Sequence, residues 1–420
     1  MRFRHLGAFA AAAGICFGAA TASGQTPAPD NDQTFTLRYS LKSSLLVSRL
    51  PDDEALFPDR DSATGFWRFR VAPTVRVDDN TTIEIAFEQR LRLFSSASTL
   101  AGADVLPPEA SAPFRLRQLD WRFASSSHAE WRGEIDRAAV HLHYSRADVT
   151  IGRQAIGWGR GVLFGAVDLF SPFTPLEADR EWRRGVDAVR TDVKLGDRVS
   201  LEAVGAFADA IGRSTFATRL RGYAGKADIE LLGGFRAGDR FVGATSSAAM
   251  GDIEVHGELA LFRTDAEAGS IGFAQPRSIV KAVAGGSYRV PLGNGVLLFA
   301  EYHYSGFGAA SADGILLQLR DPAFQQRYAR GDTQILTRHA TALLASYELS
   351  PELTVSGEWL QSPVDGSGVL MPSTTWTLSD RWSVALSGYV PYGEKPAGTT
   401  LRSAFGATPL AAFVQIKVYR

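Results

Sequence analysis

From Gly251 to Arg263 the chain reads GDIEVHGELALFR, and apolar and polar positions take turns along it. Ile253, Val255, Gly257, Leu259 and Leu261 fall on one side of an extended strand, Asp252, Glu254, His256 and Glu258 on the other. Side chains of a strand point alternately to its two faces, so this spacing predicts one oily and one ionic face. In TTIEIAFEQRLRLF, Ile83, Ile85, Phe87, Leu91 and Leu93 likewise oppose Glu84, Glu88, Arg90 and Arg92. In GFWRFRVAPTVRV, Trp67, Phe69, Val71, Val75 and Val77 oppose Arg68, Arg70, Thr74 and Arg76. The chain ends on LAAFVQIKVYR, with Val414, Ile416 and Val418 against Gln415 and Lys417.

Alternation alone also fits a soluble antiparallel sheet with one wet face. Length and punctuation argue for something else. The alternating segments run roughly 9 to 14 residues, the length a tilted strand needs to cross a bilayer. Aromatics such as Trp359 and Trp382 lie near segment ends, where membrane interfaces attract them. Tight turns at 78–80, 195–197 and 350–352 mostly alternate with long connections at 50–63, 95–133, 157–183, 264–276, 306–332 and 393–404. Short turns on one side and long loops on the other mark an outer-membrane barrel. The pattern from Thr34 to Arg420 therefore predicts an all-β, closed antiparallel transmembrane barrel of about 18 strands. The stretch 114–133 reads either as a further hairpin or as loop, which sets the range at roughly 16 to 20.

In hydrocarbon every backbone donor and acceptor must be paired internally, which a sheet achieves only by closing on itself. Oily faces then meet lipid and ionic faces line a watery lumen. The predicted lumen-lining charges are Arg68, Arg70, Glu84, Glu88, Arg90, Arg92, Arg137, Arg190, Asp192, Glu254 and Glu258, with Arg76, Glu301, Glu358 and Lys417 at further inward positions. Such groups brace the wall as Arg–carboxylate ladders or create a transverse field that selects solutes, and both roles stay open. Arg matches carboxylates and phosphates, which leans the reading toward anionic solutes.

One stretch breaks the period. Between the alternating segments ADVTIGRQ and RRGVDAVRTDVKL lies a loop at 157–183, dense in Gly, Arg, Pro and aromatics. A structureless loop of that length in a compact domain usually carries function. Gly157, Gly159 and Gly161 allow close backbone approach, Pro172 and Pro175 stiffen the return, and Trp158, Phe164, Phe170 and Phe173 are candidate anchors. Arg160, Asp168, Asp179, Arg180, Glu181, Arg183 and Arg184 are its candidate constriction charges. Two placements are open: folded into the lumen as part of a constriction, or packed as a lid over the mouth.

The first 24 residues read as a secretory signal peptide, with Arg2 and Arg4 ahead of the apolar run LGAFAAAAGICFGAA and small residues at the cleavage region. A short segment at 25–33 separates it from the barrel, 34–420. Removing it takes two of 44 basic residues and none of 45 acidic ones, for a net charge of −3. Cys16, the one cysteine, goes with it, so disulfides play no part. Near-zero charge gives no case for nucleic acid, and no later stretch is apolar enough for a membrane helix.

The segment IGRQAIGWGRG…DLFSPFTPLEADREWRRGVDAVR, preceded by IDRAAVHLHY, resembles the Gly-Arg-Gln…Trp-Gly region of outer-membrane porins related to the alginate-export family. The motif covers roughly 55 residues, from Ile135 to Arg190, and is moderately specific. The resemblance implies an 18-stranded barrel with a charged pore and, in alginate-exporting members, an Arg-rich conduit for an anionic polysaccharide. Two departures stand out. The chain ends in Tyr419-Arg420, where such barrels finish on an aromatic read by the barrel-assembly machinery. Strict alternation also puts Arg153 on the lipid face with Val149 and Ile151, so either Gly152 sits in a register-flipping bulge or Arg153 lies above the apolar band.

Other chemistry is weakly signalled. GWGRGV mimics a phosphate loop without its full spacing or a following helix. His141 and His143 share a strand face but lack an evident third metal ligand. A Ser–His pair at the lipid edge is the one enzymatic alternative, distinguishable by labelling with a serine-reactive phosphonate. The expectation is a non-enzymatic outer-membrane porin without cofactor, in contact with outer-membrane lipid, passing small hydrophilic and anionic-leaning solutes. The alternative is an export conduit for an anionic polysaccharide.

Overall fold

The computed structural model describes residues 34–54, 56–95, 105–106, 112–267, 269–398 and 400–420. The expected signal peptide and the segment 25–33 lie outside the described residues.

The strands are β1 (Phe35–Arg49), β2 (Asp61–Arg76), β3 (Thr81–Phe94), β4 (Asp120–Ser125), β5 (Ala129–His143), β6 (Ala147–Gln154), β7 (Val186–Lys194), β8 (Val199–Ala206), β9 (Thr215–Ala224) and β10 (Ala227–Arg236). They continue as β11 (Asp239–Met250), β12 (Ile253–Thr264), β13 (Arg277–Val290), β14 (Val296–Ser305), β15 (His339–Ser350), β16 (Leu353–Gln361), β17 (Gly368–Ser379), β18 (Trp382–Tyr392) and β19 (Leu410–Tyr419). All except β4 pair antiparallel with their sequence neighbours in an eighteen-stranded ring, and β1 pairs with β19 from Ser40↔Tyr419 to Arg49↔Leu410. Most of the short turns and both ends of the described barrel lie at one rim, and the long loops lie at the other, together with the two-residue turn between β10 and β11.

The wall is inverted relative to a soluble sheet. Leu259 and Leu261 are 54% and 46% exposed, while Glu258 between inward neighbours is 4% exposed. The outward row continues through Phe69, Ile85, Leu231 and Leu386, all exposed. Such a surface is stable only against lipid tails.

Three local features depart from strict alternation. In β5 a bulge opposite Ala86 and Phe87 leaves Asp136 unpaired in the ladder, and both Asp136 and Arg137 are buried. Strand β4 realises the hairpin reading of 114–133 but stays outside the ring. It pairs with the outer half of β5 (Asp120↔Glu134 to Ser125↔Glu130), whereas β6 pairs only with the inner half (Ala138↔Arg153 to His143↔Asp148). The segment before β4 reaches β7, where Asp187 N–H donates to the Phe114 carbonyl at 2.9 Å. Segment 112–125 thus completes the wall above the short β6.

Arg153 sits at that junction. The β5–β6–β7 register is continuous, so no bulge flips it. The guanidinium pairs with both oxygens of Asp187 (2.7 and 3.0 Å) and donates to the Ile135 and Arg117 carbonyls (2.9 and 2.5 Å). The register-flipping bulge is thereby ruled out, and the 112–125 segment covers the outward Arg153 side chain.

The long connection 306–338 contains two helices the strand pattern did not predict, α1 (Ala312–Leu319) and α2 (Pro322–Ala329). Asp321 caps α2 by accepting from Ala323 N–H at 3.0 Å and binds Ser270 Oγ and the amides of Ile271 and Gly272 in the neighbouring loop. Below them Phe241, Phe262, Phe273, Phe307 and Phe324 form buried ring contacts and packing. The hydrophobic core therefore lies inside the outer half of the barrel.

Candidate functional site

The loop between β6 and β7, residues 155–185, runs inward. Ile156, Trp158, Phe164, Val167, Leu169 and Phe170 are buried within the barrel. Trp158 Nε1 donates to Glu202 on β8 at 3.1 Å, and its ring meets Phe170 edge-on. Phe164 stacks on His303 of β14 with ring centroids 5.0 Å apart. Gly161 is needed for close approach, since a Cβ there would lie 1.9 Å from the Phe164 carbonyl oxygen.

Two inward carboxylates hold this segment by its backbone. Glu258 on β12 accepts from the amides of Arg160, Gly161 (2.7 Å), Ala166 (2.6 Å) and Val167 (3.2 Å). Glu301 on β14 accepts from the amides of Val162, Leu163 and Phe164 at 2.9–3.0 Å, and from His256 Nε2 at 2.9 Å. A carboxylate has room for several donors, and charged acceptors make the stronger hydrogen bonds. The Arg160 side chain extends to Asp228 and to Glu230 (3.1 Å) on β10.

The return half docks on the opposite wall. Lys42 on β1 pairs with Asp179 and Glu181 at 2.8 Å each. Glu181 also takes Lys417 at 3.4 Å and accepts from the Tyr419 hydroxyl at 2.6 Å. The Trp182 ring carries Lys42 Nζ 3.7 Å from its centroid, with the Arg68 and Arg70 guanidiniums at 4.8 and 5.1 Å. A ring face surrounded by three cations is a cation–π anchor. Tyr419, the penultimate residue, thus turns inward and is engaged by the loop.

The remaining loop charges bind within the loop or to adjacent wall. Asp168 pairs with Arg183 at 2.5 Å, Arg183 also donates to the Ser171 carbonyl, and Arg180 donates to the Pro175 carbonyl. Arg184 and Glu177 line a cavity of 20 Å³ with Arg68, Glu88, Arg90, Glu134, Asp136 and Trp182, room for about one water. Burial pushes Glu177 up to about 7 against the opposing pull of Arg184, and burial lowers Arg184 against Glu177. For Asp179 and Glu181 burial acts upward, but Lys42 and Lys417 outweigh it and hold both carboxyls below their usual range.

The inward wall charges form ladders. Arg68 pairs with Glu88 (2.7 Å), Arg70 with Asp136 (2.7 Å), Arg90 with Glu134, Arg190 with Glu202 (2.8 Å) and Asp192 with Arg221. Arg137 binds Asp136 and the Arg183 carbonyl, Glu84 meets His141 at 3.3 Å, and Arg92 lies over the Phe66 ring. Glu254 stands exposed near the short-turn rim. His141 and His143 turn to separate carboxylates, Glu84 and Asp148, and among the described residues no three His, Cys, Asp or Glu side chains gather as a metal site.

Sequence reasoning did not single out Lys42, Asp136, Trp182, or Glu202 with its ion-pair partner Arg219 on β9. Lys42 and Glu202 were findable, since they alternate with Leu41 and Leu201. Asp136 was hidden by the bulge, and Trp182 acquires its role only from the far wall.

No family model matches the chain, and no curated protein matches it in sequence. Solved structures do match. The chain is similar to OccAB1 of Acinetobacter baumannii over 95% of its own length and 99% of that protein's, with a TM-score of 0.59 at 8% identity. It is similar to OccAB4 of the same organism over 93% and 99%, with a TM-score of 0.55 at 9% identity. OccK11 (OpdR) of Pseudomonas aeruginosa matches over 92% and 95%, with a TM-score of 0.52 at 9% identity. These neighbours are outer-membrane porins. The shared property is the barrel fold.

Proposed function

We propose that the protein is an outer-membrane porin that passes small hydrophilic solutes by passive diffusion, with no bond made or broken. The observation that carries this reading is the loop 155–185, which lies inside a closed, charge-lined barrel and is bonded to β1, β10, β12 and β14. A loop fixed across a lumen narrows it, and fixed charges around the remaining path sort solutes by size and sign. In this reading Arg160, Asp179, Arg180 and Glu181 belong to the constriction, and Arg-rich ladders favour anionic solutes. The expected setting is the outer membrane after signal-peptide removal, with insertion by the barrel-assembly machinery. Fold similarity to outer-membrane porins supports the same placement.

Planar-bilayer recordings test it. The intact protein is expected to give discrete conductance steps and an anion-leaning reversal potential. Deleting residues 162–174 should raise the conductance, and an unchanged conductance and selectivity would remove the constriction role. Export of an anionic polysaccharide is the second reading, favoured by the same arginines. It requires an anionic oligosaccharide to block ion current at low concentration.

A further inference from the structure

Between β10 and β11 the long-loop rim has its shortest connection among the described residues. A two-residue turn, Ala237–Gly238, joins the strands with φ of 47° and 93°, the left-handed pair a tight hairpin needs. Arg236 and Asp239, the inward residues flanking the turn, are buried and paired, with Asp332 and Arg327 respectively.

The outward residues are not. Arg240 on β11 and Arg263 on β12 are exposed cross-strand partners, two like charges directly opposite. That arrangement is repulsive unless an anion lies between or above them. Neither forms an ion pair among the described residues, and Arg263 has one hydrogen bond, to Ser278 Oγ on β13 at 3.1 Å. Asp265, two residues beyond, does not pair with it. Immediately toward the membrane the outward row is Val242, Leu261 and Val280, and Phe235 flanks Arg240, all exposed.

We infer that Arg240, Arg263 and Ser278 form a docking site for the phosphate of an outer-leaflet lipid, whose acyl chains lie on Val242, Leu261 and Val280. Guanidiniums bind phosphate through paired N–H donors, the serine hydroxyl adds another, and the apolar row beneath supplies the bed for the tails. This inference rests on the outer-membrane reading above.

The test uses the full mature chain, refolded and first checked for insertion by bilayer conductance. Native mass spectrometry then titrates it with bisphosphorylated lipid A, with dephosphorylated lipid A and with a phosphate-free diacylglycerol. The intact protein should retain the bisphosphorylated form about tenfold or more better than the other two, the scale expected for two arginines at a membrane surface. Arg240→Gln with Arg263→Gln should abolish that preference and leave conductance unchanged, since both side chains face away from the lumen. Arg49→Gln, at another outward rim position whose arginine is already paired with Asp61, should keep it. Equal retention of all three lipids, an undiminished preference in the double variant, or equal loss in Arg49→Gln overturns the site. Failure to insert at all would instead sink the porin reading and this inference with it.

Discussion

Lys42 Nζ stands 2.8 Å from both carboxylate oxygens of Asp179, across 137 residues of chain. The pair is buried, and it ties the first strand of the barrel to the far end of the inward loop. Removing one partner of a buried pair leaves the other charge without compensation. Lys42→Met leaves Asp179 to Arg68 at 3.7 Å and Glu181 to Lys417. The variant should weaken loop docking by on the order of 3 kcal/mol. A lower unfolding midpoint in detergent and a noisier open-channel current would record it; an unchanged current would show that Lys42 is dispensable.

Glu258→Gln probes the backbone cradle. The carboxylate accepts at both oxygens, from Arg160 and Gly161 on one and Ala166 and Val167 on the other. A glutamine turns one oxygen into a donor facing two N–H groups. Losing charge-assisted bonds costs about 1.5–3 kcal/mol each. The loop should become accessible to protease from the lumen and the conductance should rise, with the barrel itself intact by heat-modifiable gel mobility.

Glu177 gives the loop a pH dependence. Burial raises its carboxyl to about 7, while an unfolded Glu titrates near about 4.3. Its contribution is therefore complete below the unfolded value and is lost as pH rises through 7. Asp179 and Glu181 act oppositely, since their lowered values give stability that is lost as pH falls through them. Unfolding midpoints measured from pH 4.5 to 8 should decline toward the alkaline end, and Glu177→Gln should flatten that decline. A parallel slope in the variant would assign the decline elsewhere.

Gly152→Ala tests the seam beside the short β6. Gly152 has φ 118°, and a Cβ there would lie 2.2 Å from the Ala138 carbonyl oxygen. Backbone on both sides of the clash belongs to the wall, so neither can yield cheaply. The variant should refold in markedly lower yield than wild type, whereas Gly196→Ala, whose Cβ would meet nothing within 4 Å, should refold normally.

How far the chain could be read follows the range of each interaction. The strand faces were readable because a period of two is a property of neighbouring residues, and Arg68, Glu88 and Glu258 appear where alternation puts them. Asp136 was not, because one bulged residue changes the face of its neighbour without a local signature. The Asp321-Pro322 helix start was a local signal that the strand pattern overshadowed.

The sequence by itself determined the closed barrel: unpaired backbone is intolerable in hydrocarbon, so long strands with one oily face have one way to satisfy both faces. Only the tertiary structure decided the course of the loop 155–185. Its anchors, Lys42, Glu202, Glu258 and Glu301, lie up to 139 residues away along the chain and reach it only once the wall has curved round. The same curvature separates the paired inward charges at the β10–β11 rim from Arg240 and Arg263 outside it, a distinction that spacing along one strand cannot contain.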